Sequence, residues 1–266
     1  MIPYIGGKYR QAKWISSFIP DNIDTYIEVF GGAFWTYLNG NIDCKKSIYN
    51  DVNPFMANLF ACCCIPDFKN KVEKELPQNR DTFDFYKKDI IKIFNNPSLM
   101  SIPDQDIGVK YAYCVTQIFS GIMNEKAKMV DLKGKYRSKY YAFMNRLSKP
   151  DIIKKFSKVN VHNLSYDEII NMYDNGNNFF YLDPPYYGTE NLYGFHDFNI
   201  SHHEHLSDIL KKCKSKWILS YYDFPDLSKW FPKDKYHWEL KGYKKASAAQ
   251  KGKKQTDGEE ILIMNF

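Results

Sequence analysis

The 266-residue sequence predicts an α/β protein with a doubly wound, mostly parallel sheet, a C-terminal antiparallel hairpin and an inserted, mainly helical subdomain. Three features support this fold class. Short apolar runs rich in β-branched and aromatic residues alternate with helical patterns. A gap of about a hundred residues, too long for one crossover connection, follows the second run. The last two runs are joined by a lysine-rich, glycine-containing segment, which is typical of a hairpin with a long loop.

The candidate strands follow in chain order. Five runs are expected to form the parallel part of the sheet, and they span residues 25–30, 46–50, 158–163, 178–182 and 216–221. Each is a short apolar run with β-branched and aromatic character, as expected of a strand. Residues 236–240 and 260–265 are expected to pair as the terminal hairpin.

The long gap between the second and third runs has a different pattern. Residues 83–94 and 107–119 carry apolar side chains at helical spacing, and several prolines interrupt the remainder. We therefore predict one domain formed by residues 1–56 and 151–266, with residues 57–150 inserted as a helical subdomain.

Charge is unevenly distributed along the chain. The total is +6, but residues 126–155 hold ten Lys and Arg against two Asp, and residues 241–256 hold six Lys and no acid. The rest of the chain therefore carries −8. Two basic segments on a mildly acidic body favour a polyanionic partner such as nucleic acid. Two solvated lysine surfaces are the alternative interpretation.

Composition is that of an ordinary globular protein. Hydrophobic residues make up 44% of the chain, which excludes a disordered protein. The six cysteines lack the paired spacing of a zinc site, and three are consecutive, so we expect reduced and mostly buried thiols. No run approaches the ~18 apolar residues of a membrane span. The expected location is the cytoplasm, without membrane association or an evident obligate protein partner.

The most specific motif is Asp183-Pro184-Pro185-Tyr186, directly after the apolar run at residues 178–182. Two prolines end a strand because proline has no N–H for the ladder and a fixed φ. The resulting rigid turn presents a carboxylate, backbone carbonyls and an aromatic ring where open α/β sheets bind ligands. Acceptors for amino hydrogens beside a stacking ring suit a planar substrate that bears an amine. A purely structural turn is the alternative.

A second motif follows the first predicted strand. Glu28-Val29-Phe30-Gly31-Gly32-Ala33-Phe34 places two glycines where a backbone could approach a ligand closely. Asp51 comes 21 residues after Phe30, past the second strand, at the spacing used to bind a ribose. The full three-glycine dinucleotide fingerprint is absent. The pattern therefore favours an adenosine ligand without phosphates over ordinary loop glycines.

A third motif opens the chain. Pro3-Tyr4-Ile5-Gly6-Gly7-Lys8 precedes a short helical pattern. The glycine pair and the lysine could cover a ligand carboxylate, or they could be a flexible start of the chain.

Taken in their order along the chain, these three motifs resemble those of the Dam-type DNA adenine-N6 methyltransferases. That family comprises S-adenosylmethionine-dependent amino-methyltransferases with an Asp-Pro-Pro-Tyr motif. The resemblance spans nearly the whole chain and implies a Rossmann-like methyltransferase sheet, with the insertion at residues 57–150 as the DNA-recognition subdomain. One departure is visible: Phe34 occupies the last glycine position of the first-strand motif.

The resemblance implies a role for each matching residue. Tyr4, Lys8, Phe30, Gly32, Asp51 and Asp183 would bind S-adenosylmethionine, with Asp51 on the ribose. Asp183, Pro184, Pro185 and Tyr186 would form the catalytic turn, with Tyr186 stacked on an adenine that has been flipped out of double-stranded DNA. Lys133, Lys135, Arg137 and Lys139 are the candidate DNA contacts. No metal is expected.

The implied function is site-specific methyl transfer to adenine N6 in a short duplex site such as a GATC-like palindrome, in a bacterial or phage-infected cell. Transfer to cytosine N4 or to RNA, and an inactive relative that only binds nucleic acid, are the alternatives. His202-His203-Glu204-His205 resembles a metal cluster, but Ser201 and Glu204 have the spacing of a helix capping box, so we interpret this run as a helix start.

Overall fold

A seven-stranded sheet lies at the centre of the protein. The computed structural model describes residues 2–4, 6–74, 79–118, 121–130, 139–188, 190, 198–244 and 257–266. The strands are β1 (Ile23–Glu28), β2 (Cys44–Asn50), β3 (Val159–His162), β4 (Phe179–Leu182), β5 (Lys216–Tyr221), β6 (His237–Lys244) and β7 (Asp257–Met264). Their order in the sheet is β3-β2-β1-β4-β5-β7-β6.

The strand directions agree with the fold class predicted from the sequence. β1 to β5 pair in parallel, β7 runs antiparallel to β5, and β6 runs antiparallel to β7. The chain leaves β1 towards β2 and β3 on one side and returns to β4 on the other. A crevice is expected at this reversal, outside the carboxyl ends of β1 and β4.

Helices connect the parallel strands and fill the long gap. They are α1 (Ala12–Ser16), α2 (Trp35–Asn39), α3 (Pro54–Cys63), α4 (Phe68–Glu73), α5 (Arg80–Asn95), α6 (Gln105–Val115), α7 (Lys139–Leu147), α8 (Pro150–Phe156), α9 (Tyr166–Tyr173), α10 (Ile200–Lys212) and α11 (Leu227–Trp230), with a 3-10 turn at Pro97–Leu99. α3 to α8 lie between β2 and β3. Among the described residues, no helix is long and apolar enough to cross a membrane.

Both faces of the sheet are buried, because side chains alternate between two apolar clusters. Tyr26 of β1 and Tyr181 of β4 belong to one cluster, whereas Ile27 and Phe180 belong to the other. β4 is buried at all four positions and β5 at five of six, as expected of strands covered on both sides, which explains why these two runs could be recognised in the sequence.

The first of these clusters extends without a break from the sheet into the helices of the gap. It includes Phe60 of α3, Cys114 of α6 and Phe143 of α7, together with sheet residues such as Ile218. The helical segment therefore packs on the sheet through a shared core. Its division from the rest at residues 57–150 remains a prediction.

Helix starts follow local capping rules. Asn53 caps α3, its side chain accepting from the N–H groups of Phe55 and Met56, and Pro54 occupies the first turn. α10 begins as expected near the histidine run, but its cap is Asn199, which accepts from Ser201 N–H. The capping box expected at Ser201 and Glu204 is therefore wrong by two residues.

All six cysteines are free thiols. Cys44, Cys62 and Cys114 are buried, and the other three are partly buried.

Phe34, which precedes α2, adopts a left-handed backbone conformation with φ +57° and ψ +28°. Glycine adopts this conformation most readily, which explains why the family motif has a glycine at this position. The Phe34 ring is fully buried and packs against Tyr37, Tyr49 and Phe60 at centroid distances of 4.9, 5.0 and 5.7 Å. Aromatic packing offsets the strain of the backbone.

We expect Phe34→Ala to lower the free energy of unfolding by about 3–5 kcal/mol, because it leaves a cavity. Phe34→Gly leaves the same cavity but removes the backbone strain, so it should be about 1 kcal/mol more stable than Phe34→Ala. Urea unfolding measures both values.

The matched control is Tyr37, a buried residue inside α2. There glycine should be less stable than alanine by about 0.5–1 kcal/mol, the usual order. The same order at Phe34 would contradict the assigned strain.

Candidate active site

A cavity of about 320 Å³ lies outside the carboxyl ends of β1, β2 and β4, where the strand order reverses. Four segments line it: the N-terminal residues around Lys8, the glycine turn after β1, the end of β2 at Asp51, and the turn after β4 at Asp183. The three motifs found in the sequence therefore meet at one place.

The glycine turn is packed too closely for any side chain. A Cβ added at Gly31 would lie 2.3 Å from the Tyr49 ring, and one at Gly32 would lie 2.8 Å from the Tyr4 ring. Gly32 also has a positive φ of 46°. Tyr49 Oη donates to the Gly32 carbonyl at 2.9 Å. Both glycines are thus required for the backbone to form this wall of the cavity.

Asp51 ties the glycine turn to the end of β2. Its Oδ2 accepts from Gly32 N–H at 2.7 Å, and its Oδ1 accepts from Asn53 N–H at 2.8 Å. Burial raises the pKa of Asp51 to about 6, although these two amide hydrogen bonds favour the carboxylate. Each carboxylate oxygen has a second lone pair, so both can still accept from a ligand hydroxyl.

The turn after β4 is anchored by Lys8, whose side chain is only 5% exposed. Lys8 Nζ lies 2.8 Å from Asp183 Oδ1, donates to Tyr186 Oη at 2.6 Å, and donates to the Gly6 carbonyl at 3.2 Å. The ammonium also lies 4.7 Å from the centre of the Tyr186 ring. The first and third motifs are therefore joined by a buried ion pair.

Charges around Lys8 are strongly coupled. Burial alone would lower the pKa of Lys8, but the carboxylates of Asp183 and Glu260 raise it well above its ordinary value. Burial raises the pKa of Asp183, and the adjacent Lys8 ammonium opposes this rise. The ionised form of Asp183 is thus stabilised by one neighbouring cation, the Lys8 ammonium.

Tyr186 is buried beside this ion pair, with 6% of its surface exposed. Its hydroxyl accepts from Lys8 and donates to Glu260 Oε1. The Tyr222 ring contacts it edge-on at 4.2 Å, and Tyr221 packs at 5.8 Å. A base that stacks on Tyr186 therefore requires one of these neighbours to move.

The opposite wall of the cavity is aromatic. Phe30 stacks on Tyr166 at 5.7 Å, and Phe198 meets both rings edge-on. His205 Nδ1 is bonded to Tyr166 Oη at 2.8 Å, and His202 stacks on Phe198 at 5.5 Å. All five side chains line the cavity, and together they form an aromatic wall whose ring faces suit a heterocycle.

Sequence reasoning predicted only Phe30 in this wall. The others come from α9, from α10 and from Phe198, two residues before α10, so their contact depends on tertiary packing. The histidine run is visible in the sequence, but its local pattern predicts a helix start and gives no sign that His202 and His205 line a cavity. Among the described residues, no group of three His, Cys, Asp or Glu side chains could hold a metal ion.

Glu28 is a further residue that the sequence did not single out for a role. It is buried, lines the cavity, and accepts from Tyr26 Oη at 2.9 Å and Tyr37 N–H at 3.3 Å. Burial raises its pKa well above the usual range.

The structure brings most of the predicted site residues together. Those that line the cavity are Tyr4, Lys8, Phe30, Gly32, Asp51, Asp183 and Pro185. Pro184 and Tyr186 belong to the same turn, next to the lining residues. Of the candidate DNA contacts, Lys139 begins α7 with an exposed side chain, and Lys133, Lys135 and Arg137 lie outside the described residues.

The arrangement provides a carboxylate and backbone acceptors at one end of a pocket and an aromatic wall at the other. Asp51, just after the end of β2, lines the same pocket. This suits a ligand with a heterocycle, hydroxyl groups and a charged tail that reaches the turn after β4.

Comparison with known proteins agrees with this geometry. The family model for D12 class N6 adenine-specific DNA methyltransferases matches residues 4–245. The chain is 24% identical over 230 residues to the type II methyltransferase M.CviBI of Paramecium bursaria Chlorella virus NC1A, covering 82% of this chain and 81% of that protein.

Two further relatives are similar. The type II methyltransferase M.MjaIII of Methanocaldococcus jannaschii is 27% identical, covering 100% of this chain and 98% of that protein. The modification methylase StsI of Streptococcus sanguinis is 26% identical over 215 residues, which cover 74% of this chain and 30% of that longer protein.

Lys8 makes a test of the buried ion pair possible. Lys8→Met should lower the free energy of unfolding by about 3–5 kcal/mol near pH 8, because it leaves buried carboxylates without a cation. The loss should shrink as the pH falls. Without Lys8, the folded-state pKa values of Asp183 and Glu260 rise further above their unfolded values, so protonation at lower pH favours the folded variant.

Lys110→Met is the matched control. Lys110 lies 2.8 Å from Asp89 and 2.7 Å from Asp106, but both carboxylates are accessible to solvent. Its loss should cost less than about 1 kcal/mol. Unfolding curves at pH 5 and pH 8 compare the variants; equal effects of both substitutions would contradict the role given to burial.

Proposed function

The chain belongs to the D12 class N6 adenine-specific DNA methyltransferases, and we propose that it transfers the methyl group of S-adenosylmethionine to N6 of an adenine flipped out of a short duplex site. One observation carries the proposal. The Asp183-Pro184-Pro185-Tyr186 turn opens onto the same cavity as the glycine turn and Asp51. An acceptor for an amine thus lies beside a pocket suited to an adenosine ligand.

The residues present fit S-adenosylmethionine. Phe30 and Tyr166 offer stacking surfaces for its adenine, and Asp51 offers acceptors for its ribose hydroxyls. The glycine turn leaves the cavity open, whereas a side chain at Gly32 would collide with the Tyr4 ring that lines it. Tyr4 and Lys8 line the cavity from the N-terminal segment, as expected of contacts to the remainder of the ligand. When bound, the cofactor supplies an electrophilic sulfonium methyl group.

Asp183 and the Pro184 carbonyl would act on the substrate amine. The N6 lone pair of adenine is delocalised into the ring, so the nitrogen is a poor nucleophile until it becomes pyramidal. Acceptors that take the amino hydrogens favour this geometry and stabilise the positive charge that develops on the nitrogen. Such a transfer needs positioning rather than a covalent enzyme intermediate.

The diproline turn would supply this positioning. Both prolines have fixed φ, so the turn holds Asp183 rigidly against the end of β4. Tyr186 would stack on the adenine after a neighbouring ring such as Tyr222 moves aside. Because adenine in a duplex is buried in the stack, flipping it out costs a few kcal/mol.

Double-stranded DNA would be held by residues 57–150 and by the basic segments. We propose Lys133, Lys135, Arg137 and Lys139 as contacts, with Arg137 as the base reader because its fork can address guanine. A GATC-like palindrome is the proposed type of site. Since the substrate is DNA, the proposed location is the cytoplasm of a bacterial or phage-infected cell, and restriction-modification is one setting for the activity.

The test is to incubate the protein with labelled S-adenosylmethionine and a random duplex DNA library. We expect label in N6-methyladenine within one short sequence. Asp183→Asn should reduce transfer by about 100-fold or more, because the carboxylate no longer stabilises the developing charge, while DNA affinity is retained. Asp208→Asn, a surface change on α10, is the control and should leave transfer unchanged.

Other outcomes would contradict the proposal. Label in N4-methylcytosine or in RNA would assign a different amine substrate. DNA binding without label would indicate a protein that binds nucleic acid but does not methylate it.

The affinity for S-adenosylmethionine should depend on Asp51. Hydroxyl donors bind the carboxylate better than the carboxylic acid, and the pKa of Asp51 is about 6. We therefore expect the Kd to rise by about tenfold between pH 7 and pH 5, as Asp51 becomes protonated. Titration calorimetry at several pH values measures this change.

Asp51→Asn separates this contribution from that of other groups in the cavity. The variant should bind more weakly at pH 7 and lose most of the pH dependence. An unchanged pH dependence would remove Asp51 from contact with the ribose.

A further inference from the structure

Glu260 is a buried acid that belongs to none of the three sequence motifs. It lies on β7, is 1% exposed, and reaches the site from the C-terminal hairpin. Its backbone position follows from strand register. Tyr221, the last residue of β5, pairs with Ile261, so Glu260 lies just beyond the carboxyl end of β5. That edge of the sheet also holds the turn after β4.

Glu260 contacts two predicted site residues, which also contact each other. Tyr186 Oη donates to Glu260 Oε1, and Lys8 Nζ lies 3.4 Å from the same oxygen. Lys8 also donates to Tyr186 Oη at 2.6 Å. The hydroxyl of Tyr186 is therefore held between an ammonium and a carboxylate.

Glu260 also changes how Lys8 interacts with Asp183. A single ammonium lies between two carboxylates, 2.8 Å from Asp183 and 3.4 Å from Glu260. Because its charge is shared, Lys8 neutralises Asp183 less completely than it would in an isolated pair.

Stability alone does not explain an acid at this position. A buried carboxylate that shares one cation with a second carboxylate is costly, and an apolar side chain of similar volume is often as stable. Clusters of this kind are concentrated at functional sites. Glu260 contacts the catalytic turn and does not line the cavity, so a role through its neighbours is indicated.

We propose that Glu260 is a positioning residue for methyl transfer, which holds the Tyr186 hydroxyl between its own carboxylate and the Lys8 ammonium. The inference rests on the proposed function. The C-terminal hairpin thus helps to orient the stacking ring and the amine acceptor. Glu260 itself does not line the cavity.

Glu260→Gln is the direct test, because it keeps the size of the side chain and an acceptor oxygen but removes the charge. We expect kcat for methyl transfer to fall by about tenfold or more, with the Kd for S-adenosylmethionine and the KM for DNA changed by less than about twofold. Glu259→Gln is the matched control: Glu259 is the adjacent, exposed residue of the same strand, and its variant should have the kcat of the wild type.

A double-mutant cycle with Tyr186→Phe identifies the route of the effect. Tyr186→Phe keeps the ring and removes the hydroxyl that Glu260 holds. If Glu260 acts through that hydroxyl, adding Glu260→Gln to Tyr186→Phe should lower kcat by less than about threefold further. Should Glu260→Gln fail to fold, Tyr186→Phe alone tests the same bond and should lower kcat with little change in KM.

Three results would overturn the proposal. One is wild-type kcat in Glu260→Gln or, if that variant does not fold, in Tyr186→Phe. Another is the same loss of kcat from Glu260→Gln in both backgrounds. The third is a change confined to Kd or KM. Each is measured against an active wild-type enzyme, so the proposed function would stand; an inactive wild type would overturn both.

Discussion

One buried ammonium holds the site together. Lys8 comes from the N-terminal segment, Asp183 and Tyr186 follow β4, and Glu260 comes from the C-terminal hairpin, so three distant parts of the chain meet at a single Nζ. A cation in this position has little water to solvate it, and its stabilisation comes from the carboxylates around it. The carboxylates depend on the cation in the same way. The stability of the site therefore depends on these charged groups being present together.

The topology of the sheet is what allows this meeting. β1 and β4 are neighbours although more than a hundred residues separate them along the chain, because the strand order reverses between them. The glycine turn and the turn after β4 therefore start from adjacent strand ends. Because β7 runs antiparallel to β5, the amino-terminal end of β7 lies at this edge of the sheet. This places Glu260 beside Tyr186. An extra parallel strand would have presented its carboxyl end there instead.

Local patterns predicted the strands, the glycine turn and the turn after β4, because each depends on residues adjacent in sequence. β5 has the predicted bounds, 216–221, and the other strands differ from prediction by a few residues at their ends. The sequence could not reveal Glu260 or the wall formed with Tyr166 and Phe198, since those contacts arise only when separate elements pack. Phe34 falls between these cases. Its departure from the family motif was visible, but the left-handed backbone that explains the usual glycine was not.

Departures from local rules are concentrated around the cavity. Phe34 has a backbone conformation suited to glycine, and Glu28, Asp51 and Asp183 are acids with pKa values raised by burial. Each feature lowers the stability of the fold when considered alone, and each lies at a strand end or turn that lines the same pocket. Away from the cavity, ion pairs such as Lys45–Asp24 and Lys229–Asp226 are exposed. These four costs meet at one edge of the sheet, which indicates that the chemistry of the pocket, rather than the demands of folding, determines the residues there.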